Sequence, residues 1–225
     1  MEKFFNSDNS VMRALSKLFD MGVLTLIYLV FCIPVVTIGA ATTSLYYVSA
    51  KVLRHNRSYV WTEFWSSFKM NFAQSTIVWL IVAVLSVLLV FNMQIVGITD
   101  AASSRGGYLA GVYFAMLFII LCISCYVLPF ISRFSMKLTQ ILRLSLYCAF
   151  RHFLHTLSMI AILVAMVALI YIAIVTNIII IFLFAPALAS FVYTFPMEHI
   201  MKKYMPKEEP QYTEDGEEIV PWYNE

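Results

Sequence analysis

The chain has 225 residues, of which 61% are hydrophobic and only 12% are charged. Soluble domains are typically about 25% charged, so the composition excludes an ordinary aqueous globule. The formal net charge of +2 hides an uneven distribution. Residues 208–225 carry seven of the 13 acidic residues, whereas residues 1–205 carry 14 Lys and Arg against six Asp and Glu.

Four long runs of the chain contain no charged residue, and runs of this length and apolarity are typical of membrane-spanning helices. The last run has 46 residues and would extend about 69 Å as a helix. It therefore predicts two spans, separated at Thr176–Asn177. The four runs are residues 21–50, 70–99, 106–132 and 152–197. We expect an all-α, polytopic transmembrane bundle in one domain over residues 1–205.

The first run is too long for one upright span and short for two. Its 30 residues would extend roughly 45 Å, against a hydrocarbon core of about 30 Å. Pro34 removes a helix hydrogen bond and Gly39 adds backbone freedom, which favours a hairpin. Its second arm is short and could dip only part-way into the bilayer. The hairpin gives six segments, near residues 18–36, 38–53, 74–95, 107–131, 153–175 and 177–195; a single crossing would give five.

The positions of the basic residues favour the six-segment arrangement. Cytoplasmic loops collect Lys and Arg. With six segments, 14 basic residues lie inside and one lies outside, whereas five segments give 11 against four. We therefore expect a multi-pass membrane protein with both termini in the cytoplasm. The basic residues follow the inner membrane edge, so a nucleic-acid partner is not expected and the bilayer itself is the first partner.

Three amphipathic segments are predicted to lie along the inner membrane surface as separate helices. Each places apolar side chains at helical spacing beside basic residues, a pattern typical of interfacial anchors. They are residues 11–19, 61–72 and 134–145. The acidic residues 206–225, with three prolines in residues 206–221, predict a flexible cytoplasmic tail.

The predicted hairpin carries a recognisable motif. Residues 34–40 read PVVTIGA and residues 42–46 read TTSLY. Together with the aromatic stretch 61–72, the FAPAL segment at 184–188 and the closing Lys202–Tyr204, this motif resembles that of the YesL-like family of small bacterial integral membrane proteins. The resemblance covers residues 15–205. The motif positions, with an expected structural role in the hairpin, are Pro34, Thr37, Gly39, Ala40, Thr43 and Tyr46.

The resemblance implies a context and no chemistry. The YesL-like family is a domain of unknown function without an established activity. Its members are commonly encoded beside carbohydrate-uptake transporters and polysaccharide-degrading enzymes in Gram-positive bacteria. A link to carbohydrate uptake or utilisation is therefore what the resemblance implies for this chain.

The ionisable residues offer little catalytic chemistry. Glu63, Asp100 and Glu198 are expected at loops or membrane interfaces, which leaves no carboxylate inside a span for ion-coupled transport or hydrolysis. His152 and His155 lie three residues apart, but interfacial anchoring is favoured over a metal site. We expect no enzyme activity, no catalytic or metal residues and no cofactor.

Small residues spaced four apart are predicted to let helices approach closely. These patterns are Gly107-xxx-Gly111-xxx-Ala115, Ala40-xxx-Ser44 and Ala185-xxx-Ala189. Packing within the chain is favoured over packing against a partner subunit. Cys122 and Cys125 fall inside a span, where packing is favoured over redox chemistry.

Two functions remain open. The first is a non-catalytic accessory or regulatory protein that packs against another membrane subunit, such as a carbohydrate transporter complex. The second is the substrate-binding subunit of a membrane transporter, which would need polar groups that converge on a cavity. The candidate ligand-facing residues for this alternative are Thr42, Asn92 and Asn177.

Overall fold

The computed structural model describes residues 10–55, 58–99, 104–134, 136–204, 211–212 and 218–219. These residues form seven α-helices, a 3-10 turn, a π-helical turn and one short strand pair. The helices are α1 (Ser10–Cys32), α2 (Ile38–Val48), α3 (Val60–Thr99), α4 (Ser104–Arg133), α5 (Leu138–Arg151), α6 (Phe153–Thr176) and α7 (Ile179–Tyr204). The 3-10 turn is Val35–Thr37, and the π-helical turn Ser49–Arg54 directly continues α2.

Five of the described helices are long and apolar enough to cross a membrane, which confirms the all-α, polytopic bundle. Their apolar stretches are Leu15–Cys32, Val60–Val96, Gly107–Arg133, Phe153–Thr176 and Ile180–Tyr204. The remaining predicted segment also forms, as α2 and the π-helical turn. These have 11 and 6 residues and together extend only about 25 Å.

Two of the three predicted surface helices are not separate elements. Residues 11–19 belong to α1, and residues 61–72 are the first part of the 40-residue α3. No glycine or proline occurs between Val60 and Val96, so no backbone feature ends the helix there. The third segment does form a separate helix, α5, which begins at Leu138 and buries Ile141, Ser145, Cys148 and Ala149.

The first charge-free run folds back on itself. Helix α1 ends at Cys32, the 3-10 turn follows Pro34, and α2 then packs against α3 and α4. Side chains of α1, α2 and the first part of α3 share one apolar core, with Leu24, Ala41, Val48, Leu53 and Phe64 at its centre. We refer to α1, the turn and α2 with its π-helical continuation as the hairpin.

A second apolar core joins α4, α5, α6 and α7. Its fully buried members include Tyr126, Phe130, Ile141, Met159 and Met197. Tyr46 of α2 and Val78 of α3 also belong to it, so the hairpin contacts both cores.

The tail contributes one described feature. Gln211–Tyr212 pairs with Glu218–Ile219 as two antiparallel two-residue strands. The rest of residues 205–225 lies outside the described residues, so the flexibility of the tail stays a prediction.

Candidate functional site

The turn of the hairpin is held by side chains that bind its backbone carbonyls. Pro34 is extended, and the hydroxyl of Thr37 lies 2.6 Å and 2.7 Å from the carbonyl oxygens of Phe31 and Pro34. The indole of Trp79 on α3 donates to the carbonyl of Val35 at 2.8 Å. Carbonyls that a helix end leaves unpaired are costly in an apolar medium, so these bonds stabilise a turn whose own apolar side chains, Ile33, Val35 and Val36, are exposed.

Gly39 allows α2 to approach α3 closely. A Cβ atom at this position would lie 2.5 Å from the Cβ of Trp79 and 2.6 Å from the carbonyl oxygen of Ser75. Ala40 is fully buried, and the hydroxyl of Thr43 is 2.9 Å from that of Ser75. The motif residues therefore fix the hairpin against α3.

Tyr46 extends the motif toward α7. Its side chain is buried, and its ring meets that of Tyr193 edge to face at a centroid distance of 6.3 Å. The Tyr46 hydroxyl lies 3.6 Å from the sulfur of Met201.

A buried group of charges lies at one end of the bundle, where the hairpin, α4 and α7 meet. Glu198 of α7 forms an ion pair with Arg133, and both side chains are almost fully buried. Arg54 and His55 each place a nitrogen 3.9 Å from the other Glu198 carboxylate oxygen. Arg54 also donates to the carbonyl of Thr194 at 3.2 Å. We call Arg54, His55, Arg133 and Glu198 the basic cluster.

Of the two positions expected for Glu198, a loop or a membrane interface, the structure excludes the loop. The last span was predicted to end near residue 195, but α7 continues through Pro196 to Tyr204. Glu198 therefore lies inside a helix and inside the core. One sequence signal could have located the cluster: with six segments, Arg133 and Glu198 fall at the same end of the bundle and carry opposite charges.

Two ionisable groups near this end have shifted pKa values. Burial lowers the pKa of His55 and outweighs the opposite effect of Glu198, so the neutral imidazole is favoured. Lys51 donates to Glu63 at 2.7 Å. Burial alone would lower the pKa of Lys51, but the hydrogen bond and the charge of Glu63 raise it.

A cavity of about 180 Å³ lies between α2, α4, α6 and α7, next to Tyr28 of α1. Pro129 of α4 and Pro186 of α7 both line it. Because proline has no N–H, Pro129 leaves the carbonyl of Cys125 without its intrahelical donor. The hydroxyl of Tyr193 donates to this carbonyl at 2.6 Å and restores the missing bond.

The three candidate ligand-facing residues lie in different places. Thr42 lines the cavity, and its hydroxyl donates to the carbonyl of Ile38. Asn92 is exposed within α3 and donates to the carbonyl of Leu88. Asn177 is the C-cap of α6 in a left-handed conformation, with φ of 54°. Asn177 therefore caps α6, whereas Asn92 lies inside α3.

Three histidines come together where α6 begins and α7 ends. His152 and His155 have ring centroids 5.8 Å apart, and His155 stacks on His199 at 5.5 Å. The sequence pair at α6 did not reveal His199, which comes from α7. The described residues contain no group of three or more His, Cys, Asp or Glu placed to hold a metal ion. His152 hydrogen-bonds Tyr204 at 3.1 Å.

The small-residue patterns are used in two different ways. Ala40 and Ser44 are fully buried within the chain, as expected. The pattern on α4 instead faces outward: a Cβ added at Gly107 or Gly111 would meet no atom within 4 Å, and Ala115 is exposed. Packing within the chain, the favoured expectation, is therefore wrong for this face.

Most of the hairpin and the greater part of α3 are similar to a known family. Residues 21–93 match the family described as "Protein of unknown function, DUF624". The match contains every motif residue from Pro34 to Tyr46 and extends through the α3 contacts at Ser75 and Trp79. No curated protein and no solved structure matches the chain.

Proposed function

We propose that the protein is a non-catalytic accessory or regulatory membrane subunit that packs against another membrane protein involved in carbohydrate uptake or utilisation. The carbohydrate link rests on the resemblance of the hairpin motif to the YesL-like family, with which the DUF624 match at residues 21–93 is consistent. The observation that carries the packing role is the outward face of α4.

That face has the features of a helix-docking surface. Gly107, Gly111 and Ala115 follow one another at spacings of four, so they lie on one side of α4. Small residues at this spacing let a second helix approach closely in a bilayer, where packing rather than the hydrophobic effect drives association. The equivalent Ala40–Ser44 face is already covered within the chain.

Affinity purification in mild detergent tests this role. We expect the protein to recover a carbohydrate-importer component in stoichiometric amount. The Gly111→Ile variant should lose that component because its side chain blocks close approach. Leu109→Phe is the matched control, since residue 109 is about 200° away around α4 and is also exposed. Recovery of a second copy of the chain alone, or equal recovery by both variants, would contradict the proposal.

The alternative, a substrate-binding transporter subunit, has the cavity in its favour, since Thr42 lines it. A ligand-induced rise in the melting temperature of the purified protein, screened across sugars and vitamins, would support this alternative. If no sugar or vitamin raises the melting temperature, the alternative has no support.

A further inference from the structure

The cavity between α2, α4, α6 and α7 has walls suited to a hydrocarbon ligand. Apolar side chains dominate its surface, among them Leu121 and Leu128 of α4 and Leu163 and Met166 of α6. Its volume is about 180 Å³. Apolar cavities of roughly 150 Å³ in other proteins stay dry and bind small apolar molecules.

Three of the polar side chains in these walls are already paired with the backbone. Tyr193 donates to the carbonyl of Cys125, Ser124 to that of Ile120 and Thr42 to that of Ile38. A sugar must find hydrogen-bond partners for each hydroxyl that it buries. The cavity therefore suits an alkyl chain better than a polar substrate.

Positive charge lies at one end of the cavity. Tyr46 and Tyr193 line the cavity, and both adjoin the basic cluster: Tyr46 lies close to the charges of Arg133, Glu198 and Arg54, and Arg54 binds the carbonyl of Thr194, which follows Tyr193. Two guanidinium groups face one carboxylate there, and the pKa shift of His55 favours its neutral form. Counted over the described residues alone, the cluster therefore carries an excess of one positive charge.

Arg54 is the member of this cluster that is open to a ligand. Its side chain is 27% exposed, against 2% for that of Arg133. The α7 residues that line the cavity lie at i, i+3, i+4 and i+7, on one helix face: Pro186, Ala189, Ser190 and Tyr193. Thr194 follows Tyr193, so Arg54 lies about 12 Å along α7 from Pro186. A molecule with an anionic group and an alkyl chain can reach from Arg54 into the cavity.

We propose that the cavity binds one acyl chain of an anionic phospholipid whose phosphate contacts Arg54. Acyl chains surround membrane-spanning helices at high concentration, and guanidinium groups bind phosphate oxygens by charge-assisted hydrogen bonds. This lipid site is independent of the docking face on α4.

Photo-crosslinking in vesicles tests the lipid site. The full chain is reconstituted separately with phosphatidylglycerol or phosphatidylcholine, each carrying a diazirine at the middle of one acyl chain. After irradiation, labelled residues are located by mass spectrometry. We expect label on cavity residues of α4, α6 and α7, about fivefold more from phosphatidylglycerol, since one basic residue near the membrane surface contributes ~1 kcal/mol. Equal labelling by the two lipids would overturn the preference for an anionic phospholipid.

Substitutions that fill the cavity distinguish labelling by a lipid inside it from labelling by the lipids that surround the protein. Ala189→Phe fills the cavity from α7, whereas Leu188→Phe adds the same ring to an exposed neighbour and is the control. Leu163→Trp fills the cavity from α6 and serves if Ala189→Phe fails to fold. Loss of cavity label in the filled variants, with the control unchanged, supports the site. Cavity label that persists in a folded, filled variant overturns it.

Arg54→Gln tests the phosphate contact separately. We expect cavity labelling by phosphatidylglycerol to fall to the phosphatidylcholine level while the labelled positions stay the same. An unchanged preference for phosphatidylglycerol would contradict the role of Arg54.

Discussion

Two ion pairs of the protein are expected to contribute differently to its stability, because they differ in burial. Glu198 and Arg133 form a nearly fully buried pair, whereas Lys51 and Glu63 form a pair with 20% and 13% of their side-chain surface exposed. Removing one partner of a buried pair leaves a charge without compensation in a medium of low dielectric constant. Exposure to water weakens the same effect.

Glu198→Gln should therefore destabilise the protein by about 3–5 kcal/mol, because Arg133 and Arg54 would lose their shared carboxylate. Glu63→Gln is the matched control and should cost about 1 kcal/mol or less. Chemical denaturation in detergent, followed by tryptophan fluorescence, measures both. A Glu198 variant no less stable than the Glu63 variant would show that the basic cluster does not hold the hairpin to α7.

Acid should destabilise the fold through His152. Burial lowers the pKa of this imidazole, and the charges of Lys203, His155, Arg151 and His199 lower it further. The unfolded chain therefore binds more protons below the ordinary histidine pKa of about 6.5, so the free energy of unfolding decreases as pH falls through that value. Burial shifts the pKa of His55 in the same direction.

The measurement is the melting temperature of the purified protein between about pH 7.5 and 5.5, across the ordinary histidine pKa. We expect it to fall with pH, and to fall less in His152→Gln, which keeps a hydrogen-bonding side chain beside Tyr204. The same fall in this variant as in the unchanged protein would exclude His152 as a source of the acid sensitivity.

At the scale of elements, the contact between α2 and α3 depends on one missing methyl group. Gly39→Ala would place Cβ 2.6 Å from the backbone oxygen of Ser75, which cannot move without shifting α3. Overpacking of this kind costs about 1–3 kcal/mol. Gly111→Ala is the matched control, since its Cβ would meet no atom within 4 Å. Alanine there should stabilise α4 by up to about 1 kcal/mol.

Thermal unfolding of the two variants in the same detergent gives the comparison. A lower melting temperature for Gly39→Ala and an unchanged or higher one for Gly111→Ala are expected. If Gly39→Ala is as stable as the unchanged protein, the close approach of α2 to α3 is not needed for folding.

Local sequence signals predicted the elements better than the contacts between them. Pro34 and the length of the first apolar run predicted the hairpin, and Asn177 predicted the end of α6, because these depend on neighbouring residues. The continuity of α3 was missed, because charge at Glu63 and Lys69 suggested a surface helix while nothing in the backbone stops the helix.

The candidate sites depend on residues far apart in the sequence. Arg54, Arg133 and Glu198 meet from three elements, and Tyr193 reaches Cys125 across 68 positions. Hydrophobic periodicity along one helix does not predict contacts between residues of different elements. The outward face of α4 was missed for the same reason: a small-residue pattern shows that a helix can be approached, and does not show by which helix.

At the scale of the whole molecule, the fold predicts how deeply the hairpin enters the bilayer. Its turn contacts Trp79, which lies nine residues, about 14 Å, after the start of the charge-free run at Met70. Helix α3 continues 20 residues further to Thr99, about 30 Å. The turn should therefore lie inside the hydrocarbon region, entering from the end that holds the basic cluster.

Cysteine labelling with a membrane-impermeant maleimide tests this depth and the orientation together. In a Cys32→Ser background, the other three cysteines are buried. The positive-inside rule predicts that the basic cluster lies on the cytoplasmic side. Asn177→Cys should then react in intact cells, whereas Tyr59→Cys, at an exposed position before α3, should react only after permeabilisation.

Ile33→Cys distinguishes a buried turn from a complete crossing. Ile33 is 76% exposed. The reactivity of a cysteine at this position therefore depends on whether water or lipid surrounds it, and not on contacts with the rest of the protein. In hydrocarbon, a thiol stays protonated and unreactive, because the thiolate is the nucleophile. We expect no labelling before or after permeabilisation, with labelling of the same variant after unfolding in denaturing detergent as the positive control. Labelling in intact cells at the rate of Asn177→Cys would instead place the turn in water on the outer side and make the hairpin two full spans.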